Sequence, residues 1–397
     1  MRSWYFVHKW TSVVATLFLL MLCVTGMPLI FRHEVDRALG YEISPSEIVD
    51  SGRRVGLDAI ISAARAKRHD DIVQFVLTEP GEPWVRYIRL GKTVEDPEAS
   101  AIDGYDVRTG EFLGEYVLDR GVTSFLLKLH VEMFAGLAGT LFLGFMGLLL
   151  VASLVSGTVL YGTYMRRLPF GTVRRRRSPR LEWLDLHNLL GIATLVWFLV
   201  VGVTGMVNAL TIPLFAHWQR THLAQMSAIY RDERAPPTGT FEVGSPEKAL
   251  DAALAASPGM ELSFLAFPGS DFASPQHFVA FLQGTTPWTS KLLKPVWIDA
   301  RTTRVLGTCD LPWYLTVLLL SRPLHFGNYG GMPLKVLWAV LDGLTIVVLV
   351  SGIQLWLRRR HVSFEAWVRS SERGRDELDP EDHAAEVITR QKAIGRR

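Results

Sequence analysis

Residues 134–165 read FAGLAGTLFLGFMGLLLVASLVSGTVLYGTYM, a run without Lys, Arg, Asp or Glu. A helix crosses ~30 Å of hydrocarbon in about 20 residues, so this stretch is long enough to span a bilayer. Working outward, Trp10–Phe31 and Leu186–Gln219 are equally free of those residues, and Val336–Leu357 contains only Asp342. The chain has 397 residues, of which 49% are hydrophobic and 20% charged. Apolar residues gathered into four blocks, with this little charge, exclude a soluble enzyme. The first block is too long for a signal-peptide core and lacks a small-residue cleavage site, so it counts as a helix.

The charges between the blocks orient them. Arg2 and Lys9 precede the first block, Arg166, Arg167, Arg174–Arg177 and Arg180 lie between the second and third, and Arg358–Arg360 follow the fourth. The positive-inside rule makes these segments cytoplasmic, with both termini inside. The expected organisation is spanning helices over 1–32, 126–165, 186–215 and 321–358. A basic cytoplasmic loop covers 166–185, external domains cover 33–125 and 216–320, and a cytoplasmic tail covers 359–397. Net charge is +3, and no nucleic-acid partner is expected. Cys23 and Cys309 make no disulfide framework, and no CxxCH marks covalent haem attachment.

The chain repeats itself. His8 precedes Thr25-Gly26-Met27 by the same interval that separates His187 from Thr204-Gly205-Met206. His130 stands 26 positions before Ser156, and His325 stands 26 before Ser351; Gly157 and Gly352 follow. The external segments match at a gapless offset of 193: Leu57-Asp58-Ala59 with Leu250-Asp251-Ala252, and Asp106, Arg108 and Thr109 with Asp299, Arg301 and Thr302. A tandem duplication of helix, external domain, helix accounts for this. Each external segment opens on a helical pattern (57–68 and 246–257) and continues in alternating runs such as 84–90 and 277–283. The segments 105–115 and 297–308 read as hairpins with Asp-x-Arg-Thr near the turn. The expectation is a small α+β unit in each half.

Four of the 11 histidines occupy repeat positions. His8 and His187 fall at the inner ends of helices one and three, and His130 and His325 at the outer ends of helices two and four. Ionisable groups beside a membrane span tend to be functional. Zinc asks for four N or S ligands, or three and a water, and no Cys, Asp or Glu repeats with these histidines. Haem asks for one or two axial ligands in an apolar slot between helices. Gly26 lies 18 residues after His8, about 27 Å along a helix. Thr25-Gly26 and Thr204-Gly205 therefore belong at the level of His130 and His325, and Ser156-Gly157 and Ser351-Gly352 at the level of His8 and His187. Such glycines admit a flat macrocycle or simply close helix packing.

Other residues carry weaker signals. His33, His217 and His222 break the repeat and read as interfacial, and His361 as lipid-facing. Lys9, Arg166 and Arg167 at the inner face, and Arg322 and Lys335 at the outer, suit haem propionates or lipid head groups. Asp342 carries charge or bonds a neighbouring helix. Trp84, Tyr87, Tyr105, Trp288 and Trp313 line a substrate surface or a core.

Val7-His8-Lys9-Trp10, Leu129-His130, Leu186-His187-Asn188-Leu189-Leu190-Gly191 and Leu324-His325-Phe326-Gly327, with the Thr-Gly stops, resemble the PepSY-associated transmembrane family over about Tyr5 to Arg360. Thr11-Ser12 stands where the family commonly has Leu-Gly. Within the family the chain is most similar to FoxB-type inner-membrane siderophore reductases. The resemblance implies PepSY folds in the two outer segments, two b-type haems, and reduction of ferric siderophores on the periplasmic side.

Together these features lead to an expectation of a four-helix dihaem cytochrome of the bacterial inner membrane. His8 and His187 would hold an inner haem b, and His130 and His325 an outer one. Two His per iron favour electron transfer. No GxGxxG follows a strand, so the electrons would come from a separate cytoplasmic reductase or a membrane quinol. The acceptor would be a ferric siderophore, with release of Fe2+. Two alternatives stand beside this: a transporter of an iron complex, and a non-enzymatic PepSY regulatory or binding protein.

Overall fold

A computed structural model describes residues 1–358 apart from 46–51, 80–81, 97–98, 118–119, 165–168, 175–177, 232–242 and 287–288. Arg166, Arg167, Arg175–Arg177, Trp288, Arg359, Arg360, His361 and the rest of the tail lie outside the described residues. The elements in chain order are α1 (Arg2–Ile30), α2 (Arg32–Ala38), α3 (Leu57–Lys67), β1 (Ile72–Leu77), β2 (Val85–Gly91), β3 (Ala101–Asp106), β4 (Phe112–Glu115), α4 (Gly121–Glu132), α5 (Gly136–Tyr164) and α6 (Pro179–Asn208). They continue with α7 (Thr211–Trp218), a π turn (Gln219–Leu223), α8 (Ala224–Ile229), α9 (Pro246–Ala255), β5 (Met260–Ala266), β6 (His277–Gly284), β7 (Leu293–Asp299), β8 (Val305–Thr308), α10 (Trp313–Phe326) and α11 (Gly331–Leu357).

Among the described residues four helical stretches are long and apolar enough to cross a membrane: Arg2–Ile30, Gly136–Thr163, Pro179–Asn208 and Asn328–Leu357. At 28 to 30 residues each, they measure about 42–45 Å. Lipid offers the backbone no hydrogen bonds, so a helix that satisfies itself is the natural state of such a run. Their hydroxyls also bond inward. Thr16, Thr25 and Thr204 donate to the carbonyls of Ser12 (2.6 Å), Met21 (2.8 Å) and Val200 (2.6 Å), four residues back.

Two of these stretches begin later than the sequence suggests. The span expected from 126 includes His130, but α4 ends at Glu132, and Met133 and Phe134 take positive φ of 51° and 58°. Likewise α10 ends at Phe326, where Gly327 adopts φ 72° as a left-handed C-cap. His130 and His325 thus ride on separate short helices. Glu132 and the Gly327-Asn328-Tyr329-Gly330-Gly331 stretch mark these breaks in the sequence, just ahead of the two apolar runs.

The chain forms two compact units, one of 1–20, 149–199 and 341–397, the other of 21–148 and 200–340. The first comprises one end of each of the four long helices and carries His8 and His187. The second carries their other ends, His130, His325 and the strands.

The strands of both halves make one antiparallel sheet in the order β4-β3-β2-β1-β5-β6-β7-β8. The expectation of an α+β unit in each half holds for element content, but the two units are fused. At the centre β1 pairs with β5 as Phe75↔Ala266, Val76↔Leu265 and Leu77↔Phe264. This pairing removes two edges that would otherwise expose unpaired N–H and C=O groups. On one face α3 and α9 lay Ile60, Ile61, Ala64, Ala249 and Ala253 on Val76, Ile88, Leu265, Phe278 and Ile298. On the other, Trp218 and Leu223 of the π-turn arm and Leu315 and Leu318 of α10 pack with Phe75, Phe281 and Trp297.

The gapless offset of 193 holds only in part. It relates β4 to β8, but Leu57 and Pro246, which start α3 and α9, are 189 apart. The register shifts between Val73 and Phe75 in β1 and between Leu262 and Phe264 in β5, again 189 apart. A longer β5–β6 connection, 267–276 against 78–84, accounts for most of the difference. Leu57-Asp58-Ala59 therefore corresponds to Pro246-Glu247-Lys248, and its likeness to Leu250-Asp251-Ala252 falls one helical turn off. The true equivalents cap each other. Glu247 N donates to Asp58 Oδ1 (2.9 Å) and Asp58 N donates to Glu247 Oε2 (3.4 Å). Each carboxylate thus sits at the positive end of the opposite helix.

Candidate functional site

The four repeat histidines form two pairs, as their helix levels imply. In the first unit the rings of His8 and His187 lie 6.4 Å apart between centroids, at 70°. In the second unit His130 and His325 are also 6.4 Å apart, at 64°.

Each ring is held by the same device. His8 Nδ1 donates to the Ser153 carbonyl (2.9 Å), four residues before Gly157. His187 Nδ1 donates to the Val348 carbonyl (3.1 Å), four before Gly352, and lies 3.0 Å from Ser351 Oγ. His325 Nδ1 donates to the Val201 carbonyl (3.1 Å), four before Gly205, and lies 3.2 Å from Thr204 Oγ1. His130 donates to Thr25 Oγ1 (2.9 Å) and toward the Leu22 carbonyl, four before Gly26. A carbonyl only accepts, so Nδ1 carries the proton and Nε2 is left as the bare, ligating nitrogen.

The glycines make this possible. A Cβ on Gly157 would stand 2.9 Å from His8 Cε1, on Gly26 3.0 Å from His130 Cε1, on Gly205 3.1 Å from His325 Cε1, and on Gly352 3.5 Å from His187 Cε1. The sequence offers these glycines as room for a macrocycle or for helix packing. The structure gives a third role, in which each admits an imidazole to a helix carbonyl.

The halves divide the work. His8 leans on α5 and His130 on α1, both in the first half; His187 leans on α11 and His325 on α6, both in the second. Each half supplies one imidazole to each pair and supports it, so neither half completes a pair alone.

Two imidazoles facing one ion at about 2.0 Å, with about 1.1 Å from Nε2 to ring centre, place their centroids about 6.2 Å apart. The observed spacing would let the two imidazoles of each pair share one metal ion. Among the described residues no three His, Cys, Asp or Glu gather as a metal cluster. The pairs therefore suit a macrocycle-bound iron, which brings its own equatorial ligands, rather than tetrahedral zinc.

A cavity of about 520 Å³ surrounds the first pair, lined by Gly157, Gly352, Lys9, Arg180, Tyr5 and Tyr161 among others. Arg174 also lines it but is held by Asp185 through its Nε (2.9 Å) and Nη2 (2.8 Å). In the second unit Lys335 Nζ donates to both oxygens of Glu34 (2.7 and 3.0 Å), so its charge is already matched. Arg322, three residues before His325, makes no ion pair among the described residues. Asp342 is 6% exposed, and the sequence did not decide its role. His33 Nδ1 donates to Glu42 Oε1 (2.9 Å). Of the candidate aromatics, Tyr105 is core, Tyr87 donates to Glu82 Oε2 (2.6 Å), and Trp313 is 78% exposed.

Residues 5–359 match the family described as PepSY-associated TM region. An uncharacterized protein of Pseudomonas aeruginosa is 27% identical over 267 residues, which cover 62% of this chain and 66% of that protein's own length. With four membrane-length helices and a family match over nearly its whole length, this membrane protein belongs to the PepSY-associated transmembrane family.

Proposed function

We propose that this protein is a dihaem membrane cytochrome built by tandem duplication, whose His8–His187 and His130–His325 pairs each hold a b-type haem. It passes electrons across the bacterial inner membrane and reduces ferric siderophores on the periplasmic side. The observation that carries this reading is the 6.4 Å ring separation, repeated in two independent pairs with every Nδ1 anchored. When bound, haem supplies one-electron transfer.

The chain's own residues do the rest. The carbonyls of Ser153, Val348, Val201 and Leu22 fix tautomer and ring orientation. An iron held by both imidazoles of a pair would offer no open position to oxygen or substrate. Lys9 and Arg180, which line the cavity around the first pair, and Arg322, three residues before His325, would meet propionate carboxylates. Lys9, Arg174, Arg180 and Arg358 share the end that carries the first pair, which by the positive-inside rule is cytoplasmic. Both termini are then cytoplasmic, and the sheet, as fused PepSY-like units, is periplasmic. The electron donor is a separate reductase or quinol.

The purified protein is expected to show two haems per chain in a pyridine haemochrome assay. Reduced anaerobically with dithionite, it is expected to be reoxidised by a ferric siderophore, with Fe2+ trapped by a ferrous chelator, and to stay reduced with the gallium complex. A colourless protein, or equal reoxidation by gallium, would overturn the assignment.

A further inference from the structure

We propose that His217 and His222 form a second, exchangeable binding site, for a divalent transition-metal ion, on the arm that follows α6. The arm belongs to the second half: α7 runs into the π turn Gln219–Leu223 and then α8, whereas the first half has the seven-residue α2. In an α-helix, residues five apart point about 140° away from each other. A π turn closes its hydrogen bonds at i→i+5 and brings the fifth residue back over the first.

Burial along the arm follows that spacing. Trp218 and Leu223, five apart, are 2% and 6% exposed and anchor the arm in the sheet core. His217 and His222, the residue before each anchor, are both exposed. Both rings meet the same phenol: His217 lies 5.9 Å and His222 6.2 Å from the ring of Tyr314. His222 Nδ1 is 3.1 Å from Thr221 Oγ1 and 3.4 Å from the Tyr314 hydroxyl. Its Nε2 and both ring nitrogens of His217 make no hydrogen bond among the described residues.

Two exposed imidazoles on either side of one phenol suit a borderline divalent ion, which imidazole binds in preference to hard cations. Tyr314 offers a third neighbour, and water fills the remaining positions, so the ion exchanges readily. The identity of the natural ion rests on the proposed function: reduction of a ferric complex on this side yields Fe2+, and the arm would receive it. The site itself does not depend on that reading.

The test uses the full chain in detergent with Zn2+, competed against a metallochromic indicator. One Zn2+ per chain is expected to bind through the arm, with affinity falling at least tenfold in His217→Gln or His222→Gln and about two- to threefold in Tyr314→Phe. His33→Gln, at a histidine already bonded to Glu42, serves as the control and is expected to leave binding unchanged. A His217→Gln/His222→Gln double variant that binds Zn2+ like the parent overturns the site. Direct anaerobic titration with Fe2+ then tests the ion: binding to the parent that is lost in the double variant supports Fe2+, and equal binding by both overturns that assignment alone. Neither result depends on whether the protein reduces a siderophore.

Discussion

His8 and His187 sit on helices that continue unbroken beyond them, whereas His130 and His325 sit on short helices that end in left-handed backbone two or three positions later. The mounts differ, yet both pairs hold their rings 6.4 Å apart. What they share is the Nδ1 bond to the carbonyl four before a glycine, with that glycine beneath the ring. The comparison teaches that the spacing is set by the receiving helix more than by the helix carrying the histidine. It also teaches that the second pair has a dependence the first lacks, on turns lying between the short and long helices.

The hardest test of this comparison removes the ligands. His8→Ala or His187→Ala is expected to abolish one spectral component of the bound haem, and His130→Ala or His325→Ala the other, in low-temperature optical spectra. Loss of the same component in all four variants would break the pairing. A finer test exploits unequal clearance beneath the rings. Gly157→Ala puts a methyl 2.9 Å from His8 Cε1, whereas Gly352→Ala puts one 3.5 Å from His187 Cε1, an ordinary contact. The first is expected to cut haem retention severalfold and the second to change it little; equal effects would show that the receiving helix does not set the spacing. The smallest expected effect is at the mounts. Gly327→Ala strains a residue at φ 72° by about 1 kcal/mol and crowds Trp338. It is expected to broaden the signal of the second pair and leave the first untouched.

The four spans were legible because lipid demands unbroken apolar helix, and composition reports that directly. The two levels were legible because 1.5 Å per residue turns a count into a depth, which brought Thr25-Gly26 to His130 and Ser351-Gly352 to His187. The breaks at Met133 and Gly327 lie just before the apolar runs, where Glu132 and the Gly-Asn-Tyr-Gly-Gly stretch carried a signal that the expected spans from 126 and 321 ran through. The partners of His8, His187 and His325 are main-chain carbonyls, which no side-chain identity announces. The sheet was read as two because Val76↔Leu265 is a long-range pairing whose register depends on a bulge in each strand. The Leu-Asp-Ala match misled because the extra residues lie beyond those strands. His217 and His222 did leave a signal, since they broke the repeat, but without the π turn nothing put them on one face.

The central pairing has a further consequence. Val76 pairs with Leu265, its own counterpart at 189, while Phe75 and Leu77 cross over to the counterparts of each other. Asp58 and Glu247 exchange caps in the same reciprocal way. This is the contact pattern of an isologous C2 homodimer, written within one polypeptide. With both sides of the contact in one chain, the pairing forms at an effective concentration on the order of millimolar for a short connection and does not depend on protein concentration. The two sides also need not be identical. In a homodimer every substitution changes both surfaces, whereas one chain can carry the α7–α8 arm on one side and the short α2 on the other.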